Sequence, residues 1–286
     1  MLLGYNTNGF AHHRLEDALT IVAELGYRSV ALTLDHHALS PYEATFADQL
    51  AVIKVLLRDL GLRSVVETGA RFLLDSRRKH QPTLISGPAG AARRLDFLRR
   101  AVDVAAALGA DAVSFWSGAA TDDNDSQELM GRLVENCRQL CRYAEERSVR
   151  LAFEPEPGMF IDTMERFADL YRRVDHPLFG LTLDVGHLHC LGETPIAAHV
   201  RRWRDWMWNV HIEDMRRGVH DHLMFGEGEI DFGEVLGALE EIGYAGGVHV
   251  ELSRHSHDAV ETARKALAFL RGAAGAAGAA PTTKGA

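Results

Sequence analysis

VRLAFEPEPGMFIDTMERFADLYRRVDHPLFGLTLDVGHLHCL, residues 149–191, contains a strand, a helix and a second strand in that order. VRLAFE (149–154) and FGLTLD (179–184) are nearly continuous apolar runs, the pattern of strands covered on both faces of a sheet. Asp162-Thr-Met-Glu165 lies between them and supplies a capping box for the intervening helix. Strands joined through a helix run parallel, and repetition of that unit gives an α/β fold.

The unit recurs on either side. LLGYNT (2–7), SVALTL (29–34), RSVVE (63–67), DAVSFW (111–116), WNVHI (208–212) and GVHVE (247–251) bring the strands to eight. LEDALTIVAEL (15–25) and LDFLRRAVDVAAAL (95–108) carry apolar residues at i, i+3, i+4 and i+7 and read as amphipathic helices. Gly26, Gly61, Gly109 and Gly243 stand where helices close before the next strand. Eight strand–helix repeats within residues 1–271 predict a single (β/α)₈ TIM barrel, a fold of typically about 250 residues. The rival, a doubly wound open sheet, carries a glycine-rich phosphate-binding turn after its first strand, and Thr7-Asn8-Gly9-Phe10 is not one. Residues 272–286, GAAGAAGAAPTTKGA, have almost no large side chains to bury and are expected to form a flexible tail.

Of 286 residues, 47% are hydrophobic and 25% charged, the composition of a water-soluble globular protein. The net charge of −9 argues against nucleic acid or anionic lipid as a partner. Cys137, Cys141 and Cys190 show no C-x-x-C spacing and read as reduced, buried thiols. MLLGYNTNGFAHH lacks the pattern of a secretory leader, and no 18-residue apolar span occurs, so a cytoplasmic protein with no membrane partner is expected.

Barrel chemistry sits where the strands end. The fifth strand ends in Glu154, the sixth in Asp184, the seventh carries His211 and the eighth ends in Glu251. Any one of these has a bland reading as a solvated residue or a helix cap. Three carboxylates brought together at one mouth repel one another unless a cation neutralises them. The donor set suits Mn²⁺, Mg²⁺ or Co²⁺ well and Zn²⁺ acceptably.

Glu154-Pro155, Leu183-Asp184-x-x-His187, His211-Ile212 and Glu251 resemble the xylose-isomerase-like sugar isomerase and epimerase superfamily, which includes the D-tagatose and D-allulose 3-epimerases. The resemblance covers about residues 2–271. It implies one divalent metal on Glu154, Asp184, His211 and Glu251, with the two glutamates also moving protons. It further implies substrate contacts from His187 and Arg217, and leaves the role of Asp214 open because the superfamily usually has Glu there. The implied reaction is isomerisation or epimerisation of a sugar or related hydroxyketone by proton transfer through an enediolate. Members of the group are often dimers or tetramers, so a homo-oligomer is a further expectation. Trp116 and Phe10, after the fourth and first strands, are apolar rings placed to pack on a sugar's C–H face.

HIEDMRRGVHDHLMFGEGEIDF (211–232) is long for this group and holds His220 and His222 before Gly226-Glu227-Gly228. The endonuclease-IV-type nucleases, distantly similar, have Asp-x-His before Gly-Glu-Gly at additional zinc ions. His187, His220 and His222 are therefore candidate ligands of a second metal, or substrate contacts. A multi-metal phosphodiester hydrolase and a metal-dependent lyase or dehydratase acting on a sugar or inosose are the rival readings. Glu67 and Trp116-Ser117 stand where the nucleases place histidines, which weighs against the hydrolase. Residues 69–88 form a long connection on the active-site face, and Arg77-Arg78-Lys79 within it raises a phosphorylated or otherwise anionic sugar as substrate.

Overall fold

The computed structural model describes residues 1–120 and 125–278. The strands are β1 (Leu2–Asn6), β2 (Ser29–Thr33), β3 (Arg63–Glu67), β4 (Val113–Phe115), β5 (Leu151–Phe153), β6 (Phe179–Asp184), β7 (Met207–Ile212), β8 (Asp214–Arg216), β9 (Val219–Leu223) and β10 (Gly247–Val250). Eight of them, all parallel, close a barrel in the order β1-β10-β7-β6-β5-β4-β3-β2, as the repeat of strand and helix predicts. β8 and β9 form a separate antiparallel hairpin on the rim after β7.

The helices are α1 (Leu15–Leu25), α2 (Phe46–Leu60), α3 (Pro88–Leu108), α4 (Ser126–Glu145), α5 (Met164–Val174), α6 (Val185–Leu191), α7 (Ile196–Trp203), α8 (Phe232–Glu241) and α9 (Ala259–Gly278). Their apolar faces pack on the outside of the sheet, where Phe153 and Phe179 meet Phe167 of α5 at ring separations of 6.0 and 6.2 Å. Gly26 and Gly61 cap α1 and α2 with φ of 105° and 64°, a region that an L side chain rarely adopts. All three cysteines are free and buried.

The inside of the barrel is polar beneath the site. His249, fully buried, bonds Asn209 Oδ1 through Nδ1 (2.7 Å) and Ser29 Oγ through Nε2 (2.8 Å). Gly4 and Gly247 make room for that ring, since a Cβ on either would approach it within 2.4 and 2.3 Å.

Three details differ from the sequence reading. The N-cap of α5 is Thr163, whose hydroxyl accepts from the Arg166 amide (3.3 Å), one residue beyond the expected Asp162. The β8–β9 hairpin falls in a stretch read as loop, because alternating charged and histidine residues give no apolar period there. α9 runs on to Gly278, into the segment expected to be a tail, where alanines favour helix; residues 279–286 lie outside the described residues. No helix among the described residues is long and apolar enough to cross a membrane.

Candidate active site

Register brings the four strand-end residues together. β6 pairs with β7 so that Asp184 lies beside His211, and β10 pairs with β7 so that Val250 lies beside Ile212, which brings Glu251 off the same rim. One ligand atom from each of Glu154, Asp184, His211 and Glu251 falls within 4.8 Å of the others. His211 Nδ1 stands 2.9 Å from Glu154 Oε1, 3.0 Å from Glu251 Oε2 and 3.8 Å from Asp184 Oδ2. Asp184 Oδ1 accepts the His187 amide at 2.8 Å, capping α6, while its Oδ2 is buried without a partner. Asn8 Nδ2 donates to the other oxygen of Glu251 at 2.7 Å.

The cluster is short of positive charge. Burial pushes the Glu154 carboxyl well above its ordinary range, against the pull of His211. Burial acts in the same direction on Glu251, but there the charge and hydrogen bond of His211 win and hold it well below. His211 itself is held well above its usual value, because Glu67, Glu154 and Glu251 outweigh the burial that opposes its charge. A divalent ion answers both the orphaned Asp184 oxygen and this crowding of carboxylates, so the residues fit one.

Glu67 completes the arrangement. Its Oε1 lies 2.9 Å from His211 Nε2 and 3.1 Å from Asn209 Nδ2, so His211 with Nδ1 committed to a metal would donate its other N–H to a carboxylate. Glu67 ends β3 as Glu154 and Asp184 end their runs, so the same rule applied to the first half of the chain finds it. Two further acids, one half-buried and one fully buried, were not singled out in the sequence. Glu156 lines the pocket and is pushed up to about 8 by burial and by Glu251 and Asp184. Glu213 is fully buried with neither oxygen hydrogen-bonded and is raised well above the usual range, by burial first and then by Asp184 and Glu251.

The remaining predicted residues divide. Trp116 and His187 line the pocket with Glu154, His211 and Glu251. His187, His220 and His222 form a second cluster whose ring nitrogens come within 4.8 Å of one another. Arg217 is turned away: it sits in the exposed β8–β9 turn, its amide donating to Glu229 Oε2 (3.1 Å) and its guanidinium to Thr194 Oγ1 (3.4 Å). Phe10 packs on Tyr5 and His13, with ring separations of 5.4 and 5.1 Å, and does not line the pocket. Of the basic run, Arg78 is paired with Asp75 (2.7 Å), and only Lys79 lines the pocket, joined there by Arg71. Asp214 holds the following loop in shape, since Oδ2 accepts from the Gly226 and Gly228 amides (2.8 and 2.9 Å) and Oδ1 from Met215 (2.9 Å) and Ile230 (3.3 Å).

A parallel barrel with three carboxylates and an imidazole converging on its rim defines a (β/α)₈ protein with a cluster able to hold a metal ion. The family described as xylose isomerase-like TIM barrel matches residues 19–273, and the chain belongs to it. Among curated relatives, L-ribulose-5-phosphate 3-epimerase UlaE of Shigella flexneri is 22% identical over 82% of this chain and 81% of its own. Two others match over about half of their own length, 48% and 47%. Among solved structures, D-allulose 3-epimerase from Methylomonas sp. superposes with a TM-score of 0.76 at 21% identity, covering 96% of this chain and 98% of that one. The IOLI protein, solved with a bound zinc atom, gives 0.76 at 20% identity over 94% and 98%.

Proposed function

We propose that this protein is a divalent-metal-dependent isomerase or epimerase of a sugar or related hydroxyketone. The observation that carries the reading is the meeting of Glu154, Asp184, His211 and Glu251 within 4.8 Å of one another, with both glutamates lining one pocket and each within 3.0 Å of His211 Nδ1. Family membership and the names of the relatives support it. Mn²⁺, Mg²⁺, Co²⁺ and Zn²⁺ all suit the donor set.

When bound, the ion supplies Lewis-acid polarisation of the substrate carbonyl. One of Glu154 and Glu251 removes the proton from the neighbouring carbon and the other returns a proton, on the opposite face for an epimer or at the adjacent carbon for an aldose. Asn8 fixes the Glu251 carboxylate through its 2.7 Å bond to Oε1, while Oε2 faces His211 Nδ1 at 3.0 Å, where it would be available to an ion. Trp116, 6% exposed, offers a ring for the sugar's C–H face.

The histidine cluster favours a second ion. His187 Nδ1 donates to Pro155 O and His222 Nδ1 to Glu251 O, both at 3.2 Å, which leaves the lone pair of each neutral ring on Nε2. His187 Nε2 and His220 Nε2 stand 3.1 Å apart, close to the spacing of two nitrogens on one tetrahedral zinc with bonds of about 2.0–2.1 Å.

Incubation with a panel of ketoses and inososes in D₂O tests the reaction. Deuterium appears at the carbon next to the ketone with no net gain or loss of water. Net loss of water identifies a dehydratase, and cleavage of a model phosphodiester without ketose exchange identifies the hydrolase. Metal analysis gives two ions per chain, falling to one in H220A/H222A; one ion in the unmodified protein removes the second site.

A further inference from the structure

We propose that the pocket takes its substrate by a phosphate monoester, held by Arg71 and Lys79 of the segment that follows β3. The identity of the rest of the substrate rests on the isomerase reading above; the anion site does not.

Arg71 and Lys79 line the same pocket as Glu154 and Glu251. Arg71 Nη2 donates to the backbone oxygen of Asn8 (3.3 Å), the residue whose amide holds Glu251, so the guanidinium lies one residue away from the proposed proton-transfer pair. Among the described residues neither cation has a carboxylate within ion-pair distance. Asp75, the acid of this segment, is used otherwise: it pairs with Arg78 and accepts the amides of Arg77 and Arg78 at 2.9 and 3.1 Å. The segment thus neutralises one of its arginines and leaves Arg71 and Lys79 for the pocket.

A third cation stands behind the wall. Arg94 is 1% exposed, its guanidinium lies 4.7 Å from the centre of the Trp116 ring, and it donates to Thr68 O at 2.6 Å. Its Nε and Nη1 have no partner, and its charge is unanswered by any acid within ion-pair distance among the described residues. A lone buried cation is costly and its field reaches far in a poorly polarisable interior. His80 lines the pocket edge-on to Trp116, and burial first, then Lys79, Arg94 and Arg71, lower its pKa to about 4. Its Nδ1 donates to Gly69 O (2.7 Å), which fixes the ring in the pocket lining beside Arg71 and Lys79.

Two cations in the pocket and a third behind its wall, none with an acid within ion-pair distance among the described residues, favour an anion of more than one charge. A carboxylate supplies one, a phosphate monoester about two at neutral pH. The phosphate also offers three acceptor oxygens, matching a forked arginine and a mobile ammonium.

The test is calorimetric titration of the full, metal-loaded chain with D-arabinitol and D-arabinitol 5-phosphate, which carry no carbonyl and do not react. The phosphate is expected to bind at least about tenfold tighter, the scale of a charge-assisted hydrogen bond. R71Q/K79Q should bring the two affinities within about threefold, and K79Q alone, at an exposed position, should narrow the gap with no effect on folding. R77Q, an equal change of charge on an arginine outside the pocket, should keep the preference. Equal affinities in the unmodified protein overturn the proposal, as does a preference that survives R71Q/K79Q, which would place the phosphate on the metal. Phosphate preference without exchange into any ketose phosphate sinks the isomerase reading and leaves the anion site standing; exchange into free ketoses without preference does the reverse.

Discussion

Replacing Asp214 with Asn removes one carboxylate oxygen and changes little in volume, so its effect can be worked from four hydrogen bonds. Oδ1 accepts the Met215 and Ile230 amides and Oδ2 those of Gly226 and Gly228, at 2.8–3.3 Å, and the side chain is 2% exposed. An amide keeps one oxygen. Whichever way Asn turns, two backbone N–H groups meet an NH₂ and lose their acceptor, at about 1–3 kcal/mol each, or about 2–6 kcal/mol together. Urea unfolding of D214N should show a loss in that range. Amide exchange at Gly226 and Gly228, or at Met215 and Ile230, should accelerate while the barrel strands keep their protection. A loss below about 0.5 kcal/mol, the range of ordinary surface substitutions, with unchanged exchange in the loop, would refute this account of Asp214.

Glu154→Gln and Glu251→Gln should each cut deuterium exchange into the substrate by at least about a hundredfold, the typical weight of general acid–base catalysis, as followed by NMR. Glu67→Gln should weaken metal binding about 10–100-fold in competition with a chelating dye, because His211 loses the carboxylate behind its Nε2. Stability should fall as pH drops from about 6.5 to about 4, because unfolded His80 takes up a proton that the folded ring, lowered to about 4 by burial and its cationic neighbours, refuses. His80→Gln should make the urea midpoint less steep across that window, the buried His249, also lowered, keeping part of the slope.

The barrel was legible because its signal is repetitive: eight apolar runs and their glycine-closed helices each restate the same unit. The meeting of the four strand-end residues was legible for a related reason, since a strand's end fixes where its terminal residue points. Arg217 was not, because the β8–β9 hairpin turns its side chain outward, and nothing in RRGVHDHL announces two short strands. Lys79 stood out within Arg77-Arg78-Lys79, but Arg71 and His80 were hidden for the same kind of reason. They come from an irregular segment whose path is set by contacts such as Asp75 with Arg78 and His80 with Gly69, and no periodicity encodes those. Asp214 shows the limit of motif matching: a carboxylate near the expected position serves the loop rather than the ligand.

The proposed ligands leave four neighbouring staves of the barrel, β5, β6, β7 and β10, whereas Asn8, Arg71, Lys79 and Trp116 follow β1, β3 and β4. On the proposed reading, reactivity and recognition are thereby housed largely in different arcs of one ring. Exchange of the segment after β3 alone could retarget such a protein to a new compound while the chemistry stays in place, and the reverse exchange could alter the chemistry performed on the same compound.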